Sequence, residues 1–155
     1  MTGVQKYFGT IEGGQVHYLR SGEGHPIILL HPLVGDATSM EELSVALGEQ
    51  FCCIAPDLPG FGHSDPLEEG GDLSTMAEII PLLVEKLSLE KPHLYGIGLG
   101  AIVGAILSDE YRDLFSDIIL DQYPFHDAVD APTSERSEEP LLALWQSLRN
   151  YHVDT

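Results

Sequence analysis

Three alternate glycines, Gly96, Gly98 and Gly100, lie between a short apolar run and a second one. This spacing is that of the G-x-S-x-G nucleophile elbow, in which a tight strand-to-helix turn holds a serine in a strained backbone conformation for acyl chemistry. The central position here is Gly98. Glycine adopts that conformation at little cost because it has no Cβ, but it offers no hydroxyl group for covalent catalysis. The pattern therefore predicts the turn without its nucleophile.

The other side chains that could do chemistry have simpler interpretations. His126 and His152 follow the last predicted strand, in a predicted loop and a terminal tail, where solvated surface histidines are expected. The adjacent Cys52 and Cys53 lie in an apolar strand pattern, so buried thiols are expected rather than a disulfide or a metal site. No metal-ligand spacing, phosphate-binding lysine motif or dinucleotide fingerprint is present in the sequence, so no cofactor and no metal are expected.

Composition narrows the classes of partner. The chain has 155 residues, 43% of them hydrophobic, and a formal net charge of -18. Its mean hydropathy is +0.02. This length suits one domain with a sizeable core. The acidic balance argues against nucleic acids and anionic membranes, because both require a basic surface. The apolar runs fall far short of the roughly 20 residues that span a bilayer, so a cytoplasmic protein is expected.

Strands and helices alternate along the chain and must together position the glycine turn. A hairpin through Gly13 and Gly14 comes first, and the apolar runs that follow lack alternation, which is typical of parallel strands covered on both faces. Strands are predicted at residues 7–11, 15–20, 26–30, 51–55 and 116–121, with another entering the glycines at Leu94. Helices are predicted at residues 39–50, 75–87 and 101–107, the second with a capping box from Thr75 to Glu78. The order predicts an α/β fold with a mostly parallel sheet of about six strands and flanking helices.

Three motifs in this order resemble the N-terminal part of an α/β-hydrolase of the esterase, epoxide hydrolase and haloalkane dehalogenase group. They are the apolar strand ending in His31, the turn-rich loop of residues 55–65 and the glycine turn. The resemblance covers about residues 4–125. It implies that residues 1–125 form the N-terminal part of the hydrolase core. Residues 126–155 are then an acidic loop and the start of a lid helix, at residues 141–148, after which the chain is truncated.

The same resemblance implies roles for residues at the glycine turn. Family members place Ser, Asp or Cys where this chain has Gly98. The backbone N–H groups of Leu33 and Leu99 would form the oxyanion hole. His31 would hold the loop after the third strand through hydrogen bonds, and Pro32, which replaces the usual glycine, stiffens that loop.

Two acidic residues remain as candidates. Asp57 is expected to brace the loop in which it lies, together with Ser64. Asp121 ends the sixth predicted strand, from which some dehalogenase-like relatives supply the catalytic acid, although a loop anchor is the simpler interpretation. The regions that carry the usual acid and the catalytic histidine of the family are absent from this chain.

Three functions stay open on the sequence alone. The chain is a fragment or truncated homologue of a small-molecule ester, epoxide or halide hydrolase, not competent for serine hydrolysis on its own. Alternatively it is a pseudo-hydrolase that binds a small carbonyl or acyl ligand, or a protein partner, through the remnant pocket. The third alternative is an enzyme that uses other groups, for example in proton transfer. If 155 residues is the true length, self-association or a completing chain is expected, because the last strands of the sheet are missing.

Overall fold

The structure, a computed structural model, describes residues 3–122 and contains a six-stranded sheet with helices on both faces. The strands are β1 (Gln5–Ile11), β2 (Gly14–Ser21), β3 (His25–Leu30), β4 (Phe51–Pro56), β5 (His93–Ile97) and β6 (Ile118–Asp121). The helices are α1 (Glu41–Leu47), α2 (Leu73–Lys86) and α3 (Leu99–Glu110), with short 3₁₀ helices at Ala37–Met40 and Arg112–Leu114. Within residues 3–122, no helix has both the length and the apolar character needed to cross a bilayer.

The strand order is β1-β2-β4-β3-β5-β6. The hairpin of β1 and β2 is antiparallel, and β2 also runs antiparallel to β4. Strands β4, β3, β5 and β6 are all parallel to their neighbours. The predicted mostly parallel sheet of about six strands with flanking helices is therefore confirmed, including its opening hairpin.

Parallel pairing brings the carboxyl ends of four strands to one edge of the sheet, here called the carboxyl edge. His31 follows β3, Asp57 follows β4, Gly98 follows β5, and Asp121 is the last residue of β6. Ligands of open α/β sheets bind at this edge, because loops of variable sequence converge there. Residues 23 or more positions apart in the chain thus become neighbours.

Two apolar clusters fix the sheet between its helices. The larger one lies against α2 and α3 and includes Ile28, Leu30, Ile54, Leu83, Leu94 and Leu107. The smaller one lies under α1 and the first 3₁₀ helix and includes Leu19, Leu29, Met40, Cys53 and Ala55. Burying each large aliphatic side chain contributes about 1.5–3 kcal/mol relative to exposure.

The smaller cluster does not extend to β6. Ile119 on β6 remains 54% exposed, and among residues 3–122 this strand pairs only with β5. An apolar residue on an edge strand favours association with another chain. The expected self-association depends on this region and stays a prediction.

Helix boundaries differ from the sequence-based expectation. The prediction of a capping box from Thr75 to Glu78 was wrong. Helix α2 begins earlier, and its N-cap is Asp72, whose Oδ1 accepts the Thr75 N–H at 2.8 Å. Helix α1 is shorter than residues 39–50, since Asp36 caps a 3₁₀ helix ahead of it. Helix α3 is longer than residues 101–107 at both ends. The predicted acidic loop and lid helix of residues 126–155 lie outside the described residues.

Helix α3 packs directly on the backbone of the sheet. A Cβ on Gly96 would overlap the carbonyl group of Gly100, and a Cβ on Gly100 would overlap the carbonyl group of Leu30. A Cβ on Gly104, one turn further along, would instead lie 2.6 Å from Leu120 Cδ2, the end of a flexible side chain. Of these three glycines, only Gly96 and Gly100 are therefore required by backbone contacts.

We predict that Gly100→Ala destabilises the fold far more than Gly104→Ala. The first substitution forces the backbones of α3 and β3 apart and is expected to cost about 3 kcal/mol or more, at the upper end of overpacking effects. The second needs only a rotamer change of Leu120, offset by the roughly 1 kcal/mol by which alanine favours helix over glycine. Urea unfolding of both variants measures the difference. Equal losses of unfolding free energy would contradict the close backbone approach at Gly100.

Candidate functional site

A sharp turn joins β5 to α3 at the carboxyl edge. Gly98 alone separates the two elements, with φ +59° and ψ -117°. This φ lies in the region that strongly favours glycine, so any other residue here would be strained. A Cβ at this position would lie 3.3 Å from Pro32 Cβ, which is tight, and would point toward the loop after β3. The turn therefore faces the loop that contains Pro32 and Leu33.

Two backbone N–H groups border the position that a side chain at residue 98 would occupy. Leu33 N lies 3.7 Å from the place of that Cβ, and Leu99 N belongs to the next peptide group. Within residues 3–122, neither N–H has a hydrogen-bond acceptor. Leu99 is 3% exposed and Leu33 is half-buried. Because buried N–H groups are nearly always paired, the pair is suited to an oxygen atom of a ligand.

A hydrogen bond ties the turn to the loop after β3. The Gly100 N–H donates to the His31 carbonyl oxygen at 3.1 Å. Together with the close packing of Gly100 on Leu30, this bond fixes the first turn of α3 against the end of β3. The Leu99 N–H is thereby held beside the start of the loop that carries the Leu33 N–H.

His31 holds its loop from a fully buried position. The Leu58 N–H donates to His31 Nε2 at 3.0 Å, so Nδ1 carries the proton and donates to the Pro32 carbonyl oxygen at 2.9 Å. The ring edge also packs on Phe61, with centroids 5.3 Å apart. Burial lowers the pKa of the imidazole, against smaller opposing effects of the Pro32 carbonyl and of nearby carboxylates. A neutral ring is what the Leu58 hydrogen bond requires.

Asp57 is the centre of a buried polar cluster. Its carboxylate, in a residue only 1% exposed, accepts the Ala37 N–H on Oδ1 at 2.6 Å. Oδ2 accepts the His63 N–H at 2.8 Å and lies 2.7 Å from His17 Nδ1. Ser64 Oγ donates to the Asp57 carbonyl at 2.7 Å and accepts the His17 N–H at 3.0 Å. Asp57 and Ser64 thus brace their loop, but they also join it to β2 and to the first 3₁₀ helix.

Sequence reasoning missed His17. It lies on β2, and only the antiparallel pairing of β2 with β4 brings it to Asp57. The Asp57 N–H donates to the His17 carbonyl at 2.8 Å as part of the same contact. A signal was present, since a buried aspartate needs a donor and His17 lies between Val16 and Tyr18 in the buried part of β2.

The carboxylate of Asp121 is engaged away from any histidine of the described residues. Tyr95 donates its hydroxyl hydrogen to Asp121 Oδ2 at 2.8 Å. Burial first, and then the hydrogen bond and negative charge of Asp121, raise the pKa of Tyr95 to about 12, so the phenol stays a donor. The Gly98 N–H donates to the Asp121 carbonyl at 3.3 Å, which places the backbone of Asp121, though not its carboxylate, beside the turn.

The two cysteines contribute nothing to this edge. Cys52 and Cys53 are free and buried, and burial raises the pKa of Cys53 to about 11, which makes the thiol unreactive. His126 and His152 lie outside the described residues. No group of three or more His, Cys, Asp or Glu side chains able to hold a metal ion occurs within residues 3–122.

Comparison with known sequences relates this geometry to a family. Residues 25–144 match the family model described as alpha/beta hydrolase fold. The chain is 35% identical over 124 residues to a soluble epoxide hydrolase of Corynebacterium sp. (strain C12), covering 79% of this chain and 43% of that protein. It is 31% identical over 108 residues to haloalkane dehalogenase 2 of Mycobacterium tuberculosis (strain H37Rv), covering 69% and 38%. The chain therefore spans less than half the length of these curated relatives.

Solved structures give the same relationship. The structure of the epoxide hydrolase CorEH without ligand matches with a TM-score of 0.72 and 30% identity, covering 84% of this chain and 47% of that one. The epoxide hydrolase VrEH1 from Vigna radiata matches with a TM-score of 0.77, covering 92% and 46%. Its identity of 22% makes that second likeness one of fold alone.

We predict that His31 makes the stability of the chain sensitive to acid. The folded state lowers the pKa of His31 below its ordinary value of 6.5, so the unfolded chain takes up the proton first as the pH falls. The stabilisation is therefore present above about pH 6.5 and is lost below it. His31→Gln, which keeps an acceptor near Nε2 but cannot titrate, is expected to cost about 1–3 kcal/mol at neutral pH.

Urea unfolding at pH 7, 6 and 5 tests this prediction. The difference in unfolding free energy between the wild-type chain and His31→Gln should narrow as the pH falls, because only the wild type carries this titrating group. All other groups titrate in both proteins, so their contributions to the unfolding free energy cancel in this difference. A difference that stays constant from pH 7 to pH 5 would show that the folded state does not discriminate against the protonated ring.

Proposed function

This chain belongs to the alpha/beta hydrolase fold family, and from that premise we propose that its carboxyl edge binds a small carbonyl or acyl ligand by the oxygen atom. The N–H groups of Leu33 and Leu99 donate to that oxygen. The observation that carries the proposal is the turn at Gly98, with two N–H groups beside it that have no acceptor within residues 3–122.

The electrostatics of the site support an oxygen acceptor. Leu99 is the first residue of α3, so its N–H lies at the positive end of the helix macrodipole. Two amide donors that converge on one position stabilise negative charge on a carbonyl oxygen without reorganising. Similar proteins carry names that include epoxide hydrolase, haloalkane dehalogenase and dihydrolipoyllysine-residue acetyltransferase, the last from Cupriavidus necator with 28% identity.

The same geometry separates binding from covalent catalysis. Position 98, where family members carry the attacking atom, is glycine and has no side chain. A ligand held by the two N–H groups would be polarised but would meet no nucleophile at this turn. We therefore assign recognition of the oxygen atom, without a covalent step, to this edge of the chain. The activity of a longer homologue would need residues beyond those described.

We predict that the chain prefers acetophenone over α-methylstyrene, which has the same shape but carries a methylene group in place of the carbonyl oxygen. Amide NMR titration of both compounds should shift Leu33 and Leu99 with acetophenone alone. Leu99→Pro removes one N–H and is expected to reduce the preference about fivefold, which corresponds to roughly 1 kcal/mol for one hydrogen bond.

The position tolerates this substitution. Proline is favoured at the first residue of a helix, where its missing N–H breaks no intrahelical bond. Gly98, with φ +59° and ψ -117°, lies in the mirror image of the extended region that residues before proline adopt, which is open to glycine. Leu99→Val is the matched control, because it removes a similar volume of side chain and keeps the N–H. A carbonyl preference that survives in Leu99→Pro would refute the role of this donor.

We also predict that a fluorophosphonate probe forms no adduct with the folded chain. Triad residues act as a unit, and the loss of one lowers the rate by several powers of ten. Intact-mass spectrometry before and after heat denaturation measures labelling. An adduct that forms only on the folded chain would reveal an activated serine elsewhere and would contradict this prediction.

A further inference from the structure

The loop that carries the Leu33 N–H is held at both ends by two consecutive residues. At its start, the Leu58 N–H donates to His31 Nε2 at 3.0 Å. At its end, the Ala37 N–H donates to Asp57 Oδ1 at 2.6 Å. Seven residues of chain, from His31 to Ala37, are thus spanned by one unit, the Asp57 carboxylate together with the adjacent Leu58 N–H. The position of this unit sets the position of the loop between its two attachments.

We propose that Asp57 is a positioning residue for the oxygen site, acting on Leu33 through Ala37. The inference rests on the proposed function, since it assigns to Asp57 the placement of one of the two donors. Asp57 touches no ligand itself. Its carboxylate determines where the end of the loop lies, and the loop determines where the Leu33 N–H lies relative to Gly98 and Leu99.

The carboxylate is oriented by its other two partners. A carboxylate is planar, so fixing one oxygen with two donors also fixes the direction of the other. Oδ2 lies 2.7 Å from His17 Nδ1 and accepts the His63 N–H at 2.8 Å. These donors come from β2 and from the loop after β4, which are separate from the oxygen site. Oδ1 is thereby aimed at the Ala37 N–H.

Burial makes this arrangement rigid. Asp57 is 1% exposed, His17 is 3% exposed and Ala37 is fully buried. A buried carboxylate that loses a donor pays a large desolvation penalty, so each of the three hydrogen bonds contributes to holding the carboxylate in place. Between the two attachments, Pro32 has a restricted φ and its carbonyl is held by His31 Nδ1 at 2.9 Å. Little freedom is left for Leu33 to shift on its own.

Two substitutions remove the attachment in different ways. Asp57→Asn keeps the shape but presents one amide N–H₂ where an oxygen accepts, so a donor faces a donor on one side of the group. Ala37→Pro removes only the N–H that reaches Oδ1. It is compatible with the backbone, because Ala37 is the first residue of its 3₁₀ helix and the preceding Asp36 is extended, with φ -149° and ψ -167°.

The experiment compares these variants with two controls by amide NMR and by the acetophenone titration. Ala37→Ser keeps the Ala37 N–H at the same position. Asp72→Ala removes the N-cap of α2, which costs about 1 kcal/mol of stability without touching the loop. In Asp57→Asn and in Ala37→Pro, we expect the Leu33 amide resonance of the free chain to shift while that of Leu99 stays in place. The preference for acetophenone over α-methylstyrene should fall about fivefold, as for the loss of one hydrogen bond.

The outcomes separate this inference from the proposed function. If Asp57→Asn or Ala37→Pro lowers stability no more than Asp72→Ala does, yet leaves the Leu33 resonance and the carbonyl preference unchanged, Asp57 is structural only and the inference is wrong. If the wild-type chain shows no carbonyl preference, the proposed function fails, and the Leu33 resonance of the free chain still decides whether Asp57 positions the loop. Should Asp57→Asn not fold, Ala37→Pro with its serine control carries the test alone.

Discussion

The contact of Gly100 with the end of β3 determines the geometry of the carboxyl edge. At this point α3 lies so close to β3 that a Cβ on Gly100 would overlap the Leu30 carbonyl group. The Gly100 N–H donates to the next carbonyl, that of His31, at 3.1 Å. Without this approach, α3 would stand further from the sheet and the Leu99 N–H would move away from Leu33. The two donors of the proposed oxygen site therefore depend on one pair of backbone segments.

A second constraint arises from the charge on Asp57. A carboxylate that is 1% exposed needs donors for both oxygens, and this structure draws them from three segments that are distant in the chain. The hydrogen bonds that satisfy the Asp57 carboxylate therefore also join β2, the loop after β4 and the first 3₁₀ helix. Apolar packing holds the sheet between its helices, whereas the relative placement of the loops is set by these hydrogen bonds.

The features that could be predicted from sequence are those encoded by local patterns. Continuous apolar runs indicate buried parallel strands, and alternate glycines before a helix indicate the turn at Gly98, so the sheet and the turn at its carboxyl edge could be predicted from the sequence. The contact of His17 with Asp57 could not be predicted in this way, because it joins residues 40 positions apart and needs the antiparallel register of β2 on β4. The start of α2 was misplaced for a local reason, since Asp72 and Thr75 are both good N-caps and only the backbone shows which one is used.

The glycine at position 98 shows that the two parts of this site are physically separable. A φ of +59° strains an L-residue by about 1–3 kcal/mol, a cost that an enzyme accepts in order to aim a nucleophile. Glycine adopts this φ without that strain, and the close contacts of Gly96 and Gly100 with the backbone hold the two sides of the turn. The N–H groups of Leu33 and Leu99 belong to the backbone as well, so they do not depend on a side chain at residue 98. The proposed oxygen site therefore needs no side chain at residue 98, because both of its donors are backbone groups.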